Sequence, residues 1–334
     1  MSYTTPEKLL LSLCIPTLNR CTYVCAAVRS IFEADWDVSR VELCISNNAS
    51  EHDYAELEHL LTEAPRGLTV TYFVQPRRLT ADEHMFAVKS MAQAGHVYFL
   101  GDDDLFLPGQ LPRLLALVET QAPDLAVFDG HLIDASGQPM GRHLGRPARI
   151  FTDQFEAFDV LRDKCMFGAL LVRRSLLQER HFKLLFGTSH AYCCFWLSLL
   201  ESPSLASAQV RILIPDFPLV GLRVAEKTYS ALDVYYRQIP YEIAVYRRHL
   251  MPGPAQHANH RFERRYERMV ASMGFLVRMR FAGMPIEELR DLAPQFHERH
   301  AWKVRLAEFL VRSGVYQTAR GISRRLCGLR HSRS

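Results

Sequence analysis

Short apolar runs alternate with helix-patterned segments through the first hundred residues, and this alternation constrains the fold more than any other feature. The runs have the length of strands: Leu9–Ile15 is continuous, as in a strand buried on both faces, whereas Val70, Tyr72 and Val74 alternate with other residues. Four strands are predicted at Leu9–Ile15, Val41–Ile45, Val70–Val74 and Val97–Leu100. Between them, apolar residues recur at the three- and four-residue spacing of amphipathic helices. The pattern therefore predicts an α/β fold with a mostly parallel sheet flanked by helices.

Polar residues follow three of these runs at the point where each predicted strand ends. The clusters are Thr17–Arg20, which follows Pro16 and includes Asn19, then Ser46–Ser50, and then Asp102–Asp104. Ligands of open α/β sheets bind beyond the carboxyl ends of the strands, and parallel strands bring those ends to one edge. Each cluster alone is what an ordinary loop would show. Together they predict a binding site at this edge.

The run Asp102-Asp103-Asp104 directly follows a predicted buried strand and Gly101. Three adjacent carboxylates repel one another, and the repulsion raises their pKa values unless a positive charge lies among them. Hard oxygen ligands suit Mg²⁺ or Mn²⁺, cations that also bind a substrate diphosphate. A solvated turn or a helix N-cap is the alternative, because Asp is common in both. The buried strand and the two neighbouring polar clusters favour the metal site.

The strand pattern continues to about residue 225 and then stops. Further strands are predicted at Leu125–Phe128, Ala169–Val172 and Val210–Ile214. From Glu226 onward the sequence has long amphipathic segments broken by prolines, without a strand pattern. We therefore predict an α/β domain over 1–225 and a C-terminal α-helical extension over 226–334.

Composition places the chain among ordinary soluble proteins. Of its 334 residues, 48% are hydrophobic and 23% are charged, which is usual for a globular domain. Residues Met1–Lys8 are polar and the apolar run after them is short, so neither a signal peptide nor a membrane-spanning segment is predicted. The eight cysteines are scattered without a CxxC pair, and disulfides are not expected. A cytoplasmic location is the expectation.

Three segments carry a family resemblance in their order, spacing and strand context. They read LSLCIPTLNR at 11–20, VELCISNNAS at 41–50 and GHVYFLGDDDLFLPG at 95–109. These segments resemble the signature segments of the family 2 glycosyltransferases, and the resemblance covers roughly residues 9–225. It implies the GT-A fold, whose Rossmann-like sheet would bind a nucleotide sugar through about 1–110 and an acceptor through about 111–225. Within this family, the sequences of the three segments are most similar to those of transferases that build bacterial surface polysaccharide, including the abequosyltransferase-like group.

The resemblance implies donor-site roles position by position. Pro16 and Thr17 would line the nucleotide base, and Asn47 or Asn48 stands where the family usually has an Asp that binds the base. An amide can accept or donate a hydrogen bond, so UDP and CDP both stay open as the donor nucleotide, with UDP preferred. Arg77, before the third helix, is a candidate contact of the diphosphate, and its alternative is an arginine on a solvated face.

The same resemblance assigns Asp102 to the ribose and Asp103 or Asp104 to the metal ion, Mg²⁺ or Mn²⁺. Asp104 is preferred as the ligand because it is the final acid of the Asp-any-Asp motif. The metal would stabilise the departing nucleotide diphosphate as a Lewis acid.

An inverting transferase needs a general base that takes the proton of the acceptor hydroxyl. The family usually supplies Asp or Glu from a segment that corresponds here to GTSHAYCCFW at 187–196, which contains no acid. His190 stands about where that carboxylate is expected, and an imidazole is a competent base near neutral pH. The alternative for His190 is a polar cap of the helix that follows. Other candidates for the base are Asp159, Asp163 and Glu201.

Positive charge is concentrated near the C-terminal end. From residue 301 onward, eight Lys or Arg residues stand against one acid, Glu308. Apolar residues recur among them at near-helical spacing: Trp302, Leu306, Phe309, Leu310 and Val315. A basic amphipathic helix of this kind can lie on an anionic membrane, and the alternative is a helix that packs its apolar side on the catalytic domain. Nucleic acid is not predicted as a partner, because no recognition motif accompanies the charge.

Two functions remain for the chain. The first is a metal-dependent inverting glycosyltransferase that moves a sugar from a nucleotide sugar to a lipid-linked glycan in bacterial cell-surface polysaccharide biosynthesis, at the inner face of the membrane. The second is a scaffold of the same fold that binds a nucleotide sugar or a membrane without turnover, and the missing acid near residue 190 keeps it open. A nucleotidyltransferase is disfavoured, because the loop PTLNRCTY after the first strand has no glycine.

Overall fold

The computed structural model describes residues 9–201, 210–224, 233–281 and 294–313. Its strands are β1 (Leu11–Thr17), β2 (Val41–Asn47), β3 (Thr69–Val74), β4 (His96–Phe99), β5 (Leu105–Phe106), β6 (Leu125–Val127), β7 (Asp129–Ile133), β8 (Pro139–Arg142), β9 (Arg149–Phe151), β10 (Leu170–Arg173), β11 (Ile212–Ile214) and β12 (Pro218–Arg223). Its α-helices are α1 (Cys21–Phe32), α2 (Ala55–Thr62), α3 (Ala81–Met91), α4 (Leu111–Gln121), α5 (Gln154–Leu161), α6 (Glu179–Leu184), α7 (Phe195–Glu201), α8 (Ile239–His249), α9 (Pro254–Val270), α10 (Met273–Phe281) and α11 (Pro294–Arg312).

The central sheet has eight strands in the order β3-β2-β1-β4-β10-β6-β11-β9. The first four strands of the chain pair in parallel, with α1, α2 and α3 as their connections. β11 also runs parallel to β6, whereas β10 and β9 run antiparallel to their neighbours. The prediction of an α/β fold with a mostly parallel sheet flanked by helices is confirmed.

Burial follows the sheet order. β1, β2 and β4 lie inside the sheet, and Leu13, Leu43 and Tyr98 have no exposed surface. β3 is one of the two edge strands, and its Phe73 is 50% exposed. The continuous apolar runs thus belong to strands covered on both faces, and the alternating run forms one edge. The helix α1 contributes Val24, among others, to the same core.

A second, four-stranded sheet has the order β5-β12-β7-β8. β5 begins directly after the acidic run, and it pairs in antiparallel fashion with β12. β12 also pairs in parallel with β7 and ends at Arg223. This small sheet therefore brings Arg223 to the acidic run, 119 residues away from Asp104 in sequence.

The parallel register brings the carboxyl ends of the first strands to one level. Thr17 lies opposite Asn47, and Asn47 lies opposite Val74. The Asn48 amide donates to Thr17 O at 3.0 Å, so the two chains stay paired where they leave the sheet. β4 ends one residue before Leu100, whose amide donates to Cys14 O at 3.0 Å. The three polar clusters accordingly meet at one edge of the sheet.

Residue contacts divide the chain into two compact units. The first comprises 1–227 with 245–258, and the second comprises 228–244 with 259–334. The described part of the second unit is helical, and α10 packs against α11 there. Compared with the predicted boundary near 225, the contacts assign 245–258 to the first unit as well. Among the residues that the structure describes, no helix is long and apolar enough to cross a membrane.

Candidate active site

Asp104 is the least exposed carboxylate of the acidic run; Asp102 is also buried, whereas Asp103 is partly exposed. Asp104 is 6% exposed, and its Oδ1 accepts a hydrogen bond from the Arg223 amide at 2.9 Å. Its Oδ2 lies against Gly101 and Gly168, where a Cβ on either glycine would collide with it. Burial, together with the nearby Asp103 carboxylate, raises the pKa of Asp104 to about 8. The absence of side chains at two glycines thus makes the space for this carboxyl group.

Asp102 and Asp103 share one cation, the guanidinium group of Arg20. Arg20 Nη1 lies 3.1 Å from Asp102 Oδ1 and 2.7 Å from Asp103 Oδ2. Burial raises the pKa of Asp102 to about 6, and Arg20 opposes the rise. Burial alone would lower the pKa of Arg20, but the two carboxylates outweigh it and raise that pKa. The site therefore pairs two carboxylates with a positive group on the residue that precedes α1.

The three acids offer a divalent cation only part of a coordination shell. Their carboxylates do not form a three-ligand group with atoms within 4.8 Å of one another; in the described residues, only Cys21, Cys25 and Glu56 form such a group. The Asp103 side chain is 24% exposed, compared with 11% for the Asp102 side chain. Mg²⁺ and Mn²⁺ commonly take one or two protein carboxylates and complete the shell with water and substrate phosphates. The oxygen chemistry of this edge fits such an ion.

Thr17 lies at the end of β1 beside Tyr54, next to the acidic run. The two hydroxyl groups share a hydrogen bond of 2.8 Å, and the Arg20 amide donates to the same tyrosine at 3.1 Å. Pro16 precedes Thr17 within β1 and is half-buried. The Leu18 amide faces Asp102 Oδ2 at 3.4 Å. These contacts fix the loop after β1 against the acids.

The loop after β1 is also tied to the loop after β2 through Asn19. Asn19 has a φ of 56°, in the left-handed region that Asn tolerates better than most residues. Its amide donates to Ser50 Oγ at 2.9 Å, and its Oδ1 accepts from the Glu51 amide at 2.8 Å. Asn19 thus joins the two loops by two hydrogen bonds.

Both asparagines at the end of β2 use their amide groups within the protein. Asn47 Nδ2 donates to the Tyr72 hydroxyl at 3.0 Å, and its Oδ1 accepts from the Ser50 amide at 2.9 Å. Asn48 makes a reciprocal pair with Leu79, accepting from its amide at 2.8 Å and donating to its carbonyl at 3.0 Å. The side chains predicted to contact a base therefore also shape the wall of the site.

Arg77 lies at the surface near the start of α3. Its side chain is 67% exposed and lies 3.5 Å from the Glu83 carboxylate. Glu83 also forms the capping box of α3 with Thr80. Arg223, in contrast, lies against the acidic run: its Nε donates to Asp103 O at 2.9 Å.

His190 lies in the loop between α6 and a short 3-10 turn at Ala191–Cys194. Its side chain makes no capping hydrogen bond to that turn, although its backbone amide donates to Thr188 Oγ1 at 3.0 Å. Its ring centroid is 6.2 Å from that of Tyr192, which in turn is 6.4 Å from that of Phe99. These ring contacts connect His190 through Tyr192 to Phe99, the last residue of β4.

The other acids named from the sequence lie in different surroundings. Glu201 Oε2 is 2.8 Å from His181 Nε2 and 3.4 Å from Arg180. Asp163 lies near the surface, 3.2 Å from the Lys164 ammonium group. Asp159 lies on α5. Nothing in these contacts brings any of the three to the acidic run.

Sequence reasoning missed Arg20 as the partner of the acids and Gly168 as their neighbour. The signal for Arg20 was present, because it ends the first polar cluster. The approach of Gly168 to Asp104 has no local signal, since it arises where the loop before β10 passes under the acidic run.

Comparisons with known proteins place the chain in a wider context. The sequence profile described as Glycosyl transferase family 2 matches residues 12–180. Among solved structures, S. aureus TarS 1–349 in complex with UDP-GlcNAc has a TM-score of 0.61 at 12% identity, over 92% of each chain. The same protein in complex with UDP has a TM-score of 0.59 at 12% identity, also over 92% of each chain. No curated protein matches the chain.

Proposed function

The chain belongs to glycosyl transferase family 2 and is a glycosyltransferase of the GT-A fold, and we propose on this premise that it uses a nucleotide sugar bound beside Asp102–Asp104. One observation carries the proposal. Buried polar groups from the ends of β1, β2 and β4 meet at one edge of the sheet, and Arg20 joins two of the acids there. A purely structural turn would not require an arginine, three carboxylates and two glycines around one point.

Asp103 is the metal ligand that the geometry supports best, with Asp102 directed to the ribose. Asp103 has the more open carboxylate, whereas Asp104 Oδ1 accepts from the Arg223 amide and its Oδ2 packs against Gly101 and Gly168. Mg²⁺ or Mn²⁺ held there would neutralise charge on the departing diphosphate. Because Arg20 lies beside Asp103, its guanidinium group could also stabilise the diphosphate bound there. The assignment to Asp104 remains the competing prediction.

UDP is the donor nucleotide that we propose, with CDP as the alternative. The support is the family resemblance, together with TarS, a protein of the same fold that has been solved with UDP. Asn47 and Asn48 replace the usual acid, and their amides are held by Tyr72 and Leu79. A base would therefore meet a wall of fixed polar groups rather than a mobile side chain.

His190 is the general base in the mechanism that we propose. The acceptor hydroxyl attacks the anomeric carbon, the bond from that carbon to the diphosphate oxygen breaks, and the configuration inverts. The proton of the hydroxyl moves to the imidazole. Because His190 Nδ1 is buried, Nε2 is the atom that receives it. The support for this role is the family resemblance of the 187–196 segment, together with the ring contacts that connect His190 through Tyr192 to Phe99 at the end of β4.

A lipid-linked glycan of bacterial cell-surface polysaccharide biosynthesis is the acceptor that we propose, reached from an anionic membrane surface. On α11, Trp302 is 60% exposed, Leu306 39% and Phe309 63%. Their four- and three-residue spacing puts them on one side of the helix, with the exposed Arg305 and Arg312 on the same element. Exposed aromatic residues among arginines suit the headgroup layer of an anionic bilayer. Val315 and the arginines after it lie outside the described residues.

Calorimetric titration with UDP, CDP, GDP and dTDP, each with Mn²⁺ and with EDTA, tests the donor site. We expect metal-dependent binding of UDP, lost in Asp103→Asn and retained in the surface control Asp163→Asn. Loss in Asp104→Asn with retention in Asp103→Asn would transfer the ligand role to Asp104. If the folded protein binds none of the four nucleotides, the donor-site proposal fails.

The alternative function, a scaffold that binds a nucleotide sugar without turnover, is supported by the lack of an acid in the His190 loop. Release of UDP from UDP-GlcNAc in the presence of bacterial membranes distinguishes the two functions. Binding of UDP without release from any UDP-sugar would favour the scaffold.

A further inference from the structure

Asp82 is a buried carboxylate that the proposed mechanism does not use. It lies in the first turn of α3 and is 3% exposed. The N-terminus of this helix is already capped by Thr80, whose hydroxyl accepts from the Glu83 amide while Glu83 accepts from the Thr80 amide. Capping therefore does not account for Asp82. A buried acid needs compensating hydrogen bonds, because desolvation of an uncompensated carboxylate is strongly unfavourable.

The compensation comes from the loop that carries His190. Asp82 Oδ2 accepts from the Gly187 amide at 2.8 Å and from the Ser189 amide at 2.9 Å. Asp82 Oδ1 accepts from the Ala191 amide at 3.0 Å. Every second amide from 187 to 191 is thus directed at one side chain, more than one hundred residues away in sequence. A hydrogen bond from a neutral donor to an ionised carboxylate is stronger than one to a neutral acceptor.

The backbone of this loop is one that the chain would not adopt without such contacts. Gly187 has a φ of 92° and Ser189 a φ of 57°, both in the left-handed region. Glycine adopts that region freely, but serine does so at an energetic cost. Strained backbone persists where surrounding contacts over-determine it, and the Asp82 carboxylate supplies such contacts on both sides of His190.

The start of α3 is also fixed to the donor edge. Asn48, at the end of β2, is joined to Leu79 by two hydrogen bonds of 2.8 and 3.0 Å. Leu79 precedes the capping residue Thr80. A continuous set of contacts therefore runs from the β2 end, through the first turn of α3, to the loop of His190.

We propose that Asp82 is a positioning residue that holds loop 187–191, and with it His190, in register with the donor edge. The proposal rests on the role of His190 proposed above. Asp82 is assigned no contact with the substrates, because its three hydrogen bonds all come from backbone amides of the loop. Its loss should misplace the base while leaving the Asp102–Asp104 edge intact. A displacement of about 1 Å at a reacting group can lower turnover by about a hundredfold.

The test compares Asp82→Asn with Thr80→Ala. Asparagine has the shape of aspartate, but its Nδ2 would face amide donors of the loop, so one or two of the three bonds are lost. Thr80→Ala removes the cap of the same helix without touching the loop contacts. It serves as the control for a general loosening of α3.

Three kinds of measurement are made on each variant and on the wild type. Hydrogen exchange at the 187, 189 and 191 amides and the rate of His190 modification by diethyl pyrocarbonate report the loop. Calorimetry with UDP and Mn²⁺ reports the donor edge. Release of UDP from UDP-GlcNAc, separated into kcat and KM, reports turnover.

For Asp82→Asn we expect faster exchange at the three amides, altered His190 reactivity, and UDP affinity and KM within about twofold of wild type. We expect kcat to fall about tenfold to a hundredfold. Thr80→Ala should leave exchange in the loop, His190 reactivity and kcat near wild type. Unchanged exchange and unchanged His190 reactivity in Asp82→Asn would overturn the proposal, and so would a loosened loop with full kcat. If wild type binds UDP but releases none from UDP-GlcNAc, the proposed turnover fails, while exchange and His190 reactivity still decide whether Asp82 positions the loop.

Discussion

Gly168→Ala should destabilise the protein strongly, because two separate penalties coincide at this position. Gly168 has a φ of 90°, and an added Cβ would collide with Asp104 Oδ2 and lie 2.9 Å from Leu222 Cδ2. A side chain in the left-handed region costs about 1–2 kcal/mol. Overpacking against buried atoms adds about 1–3 kcal/mol. We therefore expect a loss of about 2–5 kcal/mol in the free energy of unfolding.

Gly137→Ala is the matched control for this prediction. Gly137 has a φ of 85°, but nothing lies within 4 Å of the Cβ it would gain. Only the backbone penalty applies there, so we expect a loss of about 1–2 kcal/mol. Urea unfolding monitored by circular dichroism measures both variants, with the m-value showing that the denatured state is unchanged.

The difference between the two alanine variants isolates the close contacts of the added Cβ with Asp104 and Leu222. If both lose the same stability, the packing of Asp104 against Gly168 is not what that glycine provides, and our account of the enclosed carboxyl group is wrong. Gly168→Ala should also weaken UDP binding with Mn²⁺, since Asp104 can yield to the new methyl group only by moving within the acidic run.

Three further predictions concern charge and surface. Burial raises the pKa of Asp104 to about 8, so the folded state holds this proton more tightly than the unfolded chain, and the resulting stability is complete at low pH and lost as the pH rises through about 8. Asp104→Asn, which stays neutral, should flatten the fall of the urea midpoint in EDTA as the pH rises from about 4 to about 8, and an unchanged slope would contradict the assignment. Arg20→Gln removes the cation between the other two acids, so its thermal midpoint in EDTA should fall and Mn²⁺ should restore it; a midpoint insensitive to Mn²⁺ would argue against a metal site. Trp302→Ser combined with Phe309→Ser should lower binding to anionic phospholipid vesicles about tenfold or more. The control Met251→Ser, at another exposed apolar residue, should leave vesicle binding unchanged. Equal losses of binding in the two proteins would refute docking through α11.

The fold was predictable because its signals are local. Short runs rich in apolar residues mark strands, and each of the first four such runs became a strand of the central sheet. The meeting of the three polar clusters was predictable for the same reason: Thr17 and Asn47 end their strands, Asp102 follows β4, and parallel pairing brings strand ends together.

The roles of the individual acids were less accessible to sequence reasoning. The motif alone favoured Asp104 as the metal ligand, yet the carboxylate of Asp103 is the more exposed one. The difference arises from Gly168 and Arg223, which reach Asp104 from other strands. In a run of identical residues, spacing cannot tell which side chain is covered by a distant part of the chain.

The sequence by itself determined the alternation of strands and helices, and with it the edge at which polar residues collect. Only the tertiary structure decided that Arg20 lies between two acids, that the Asn47 and Asn48 amides are held in place, and that Asp82 binds the loop of His190. The physical reason is one of range. Strand and helix patterns follow from neighbours a few residues apart, whereas burial, ion pairing and loop anchoring depend on groups that meet only after the chain has folded.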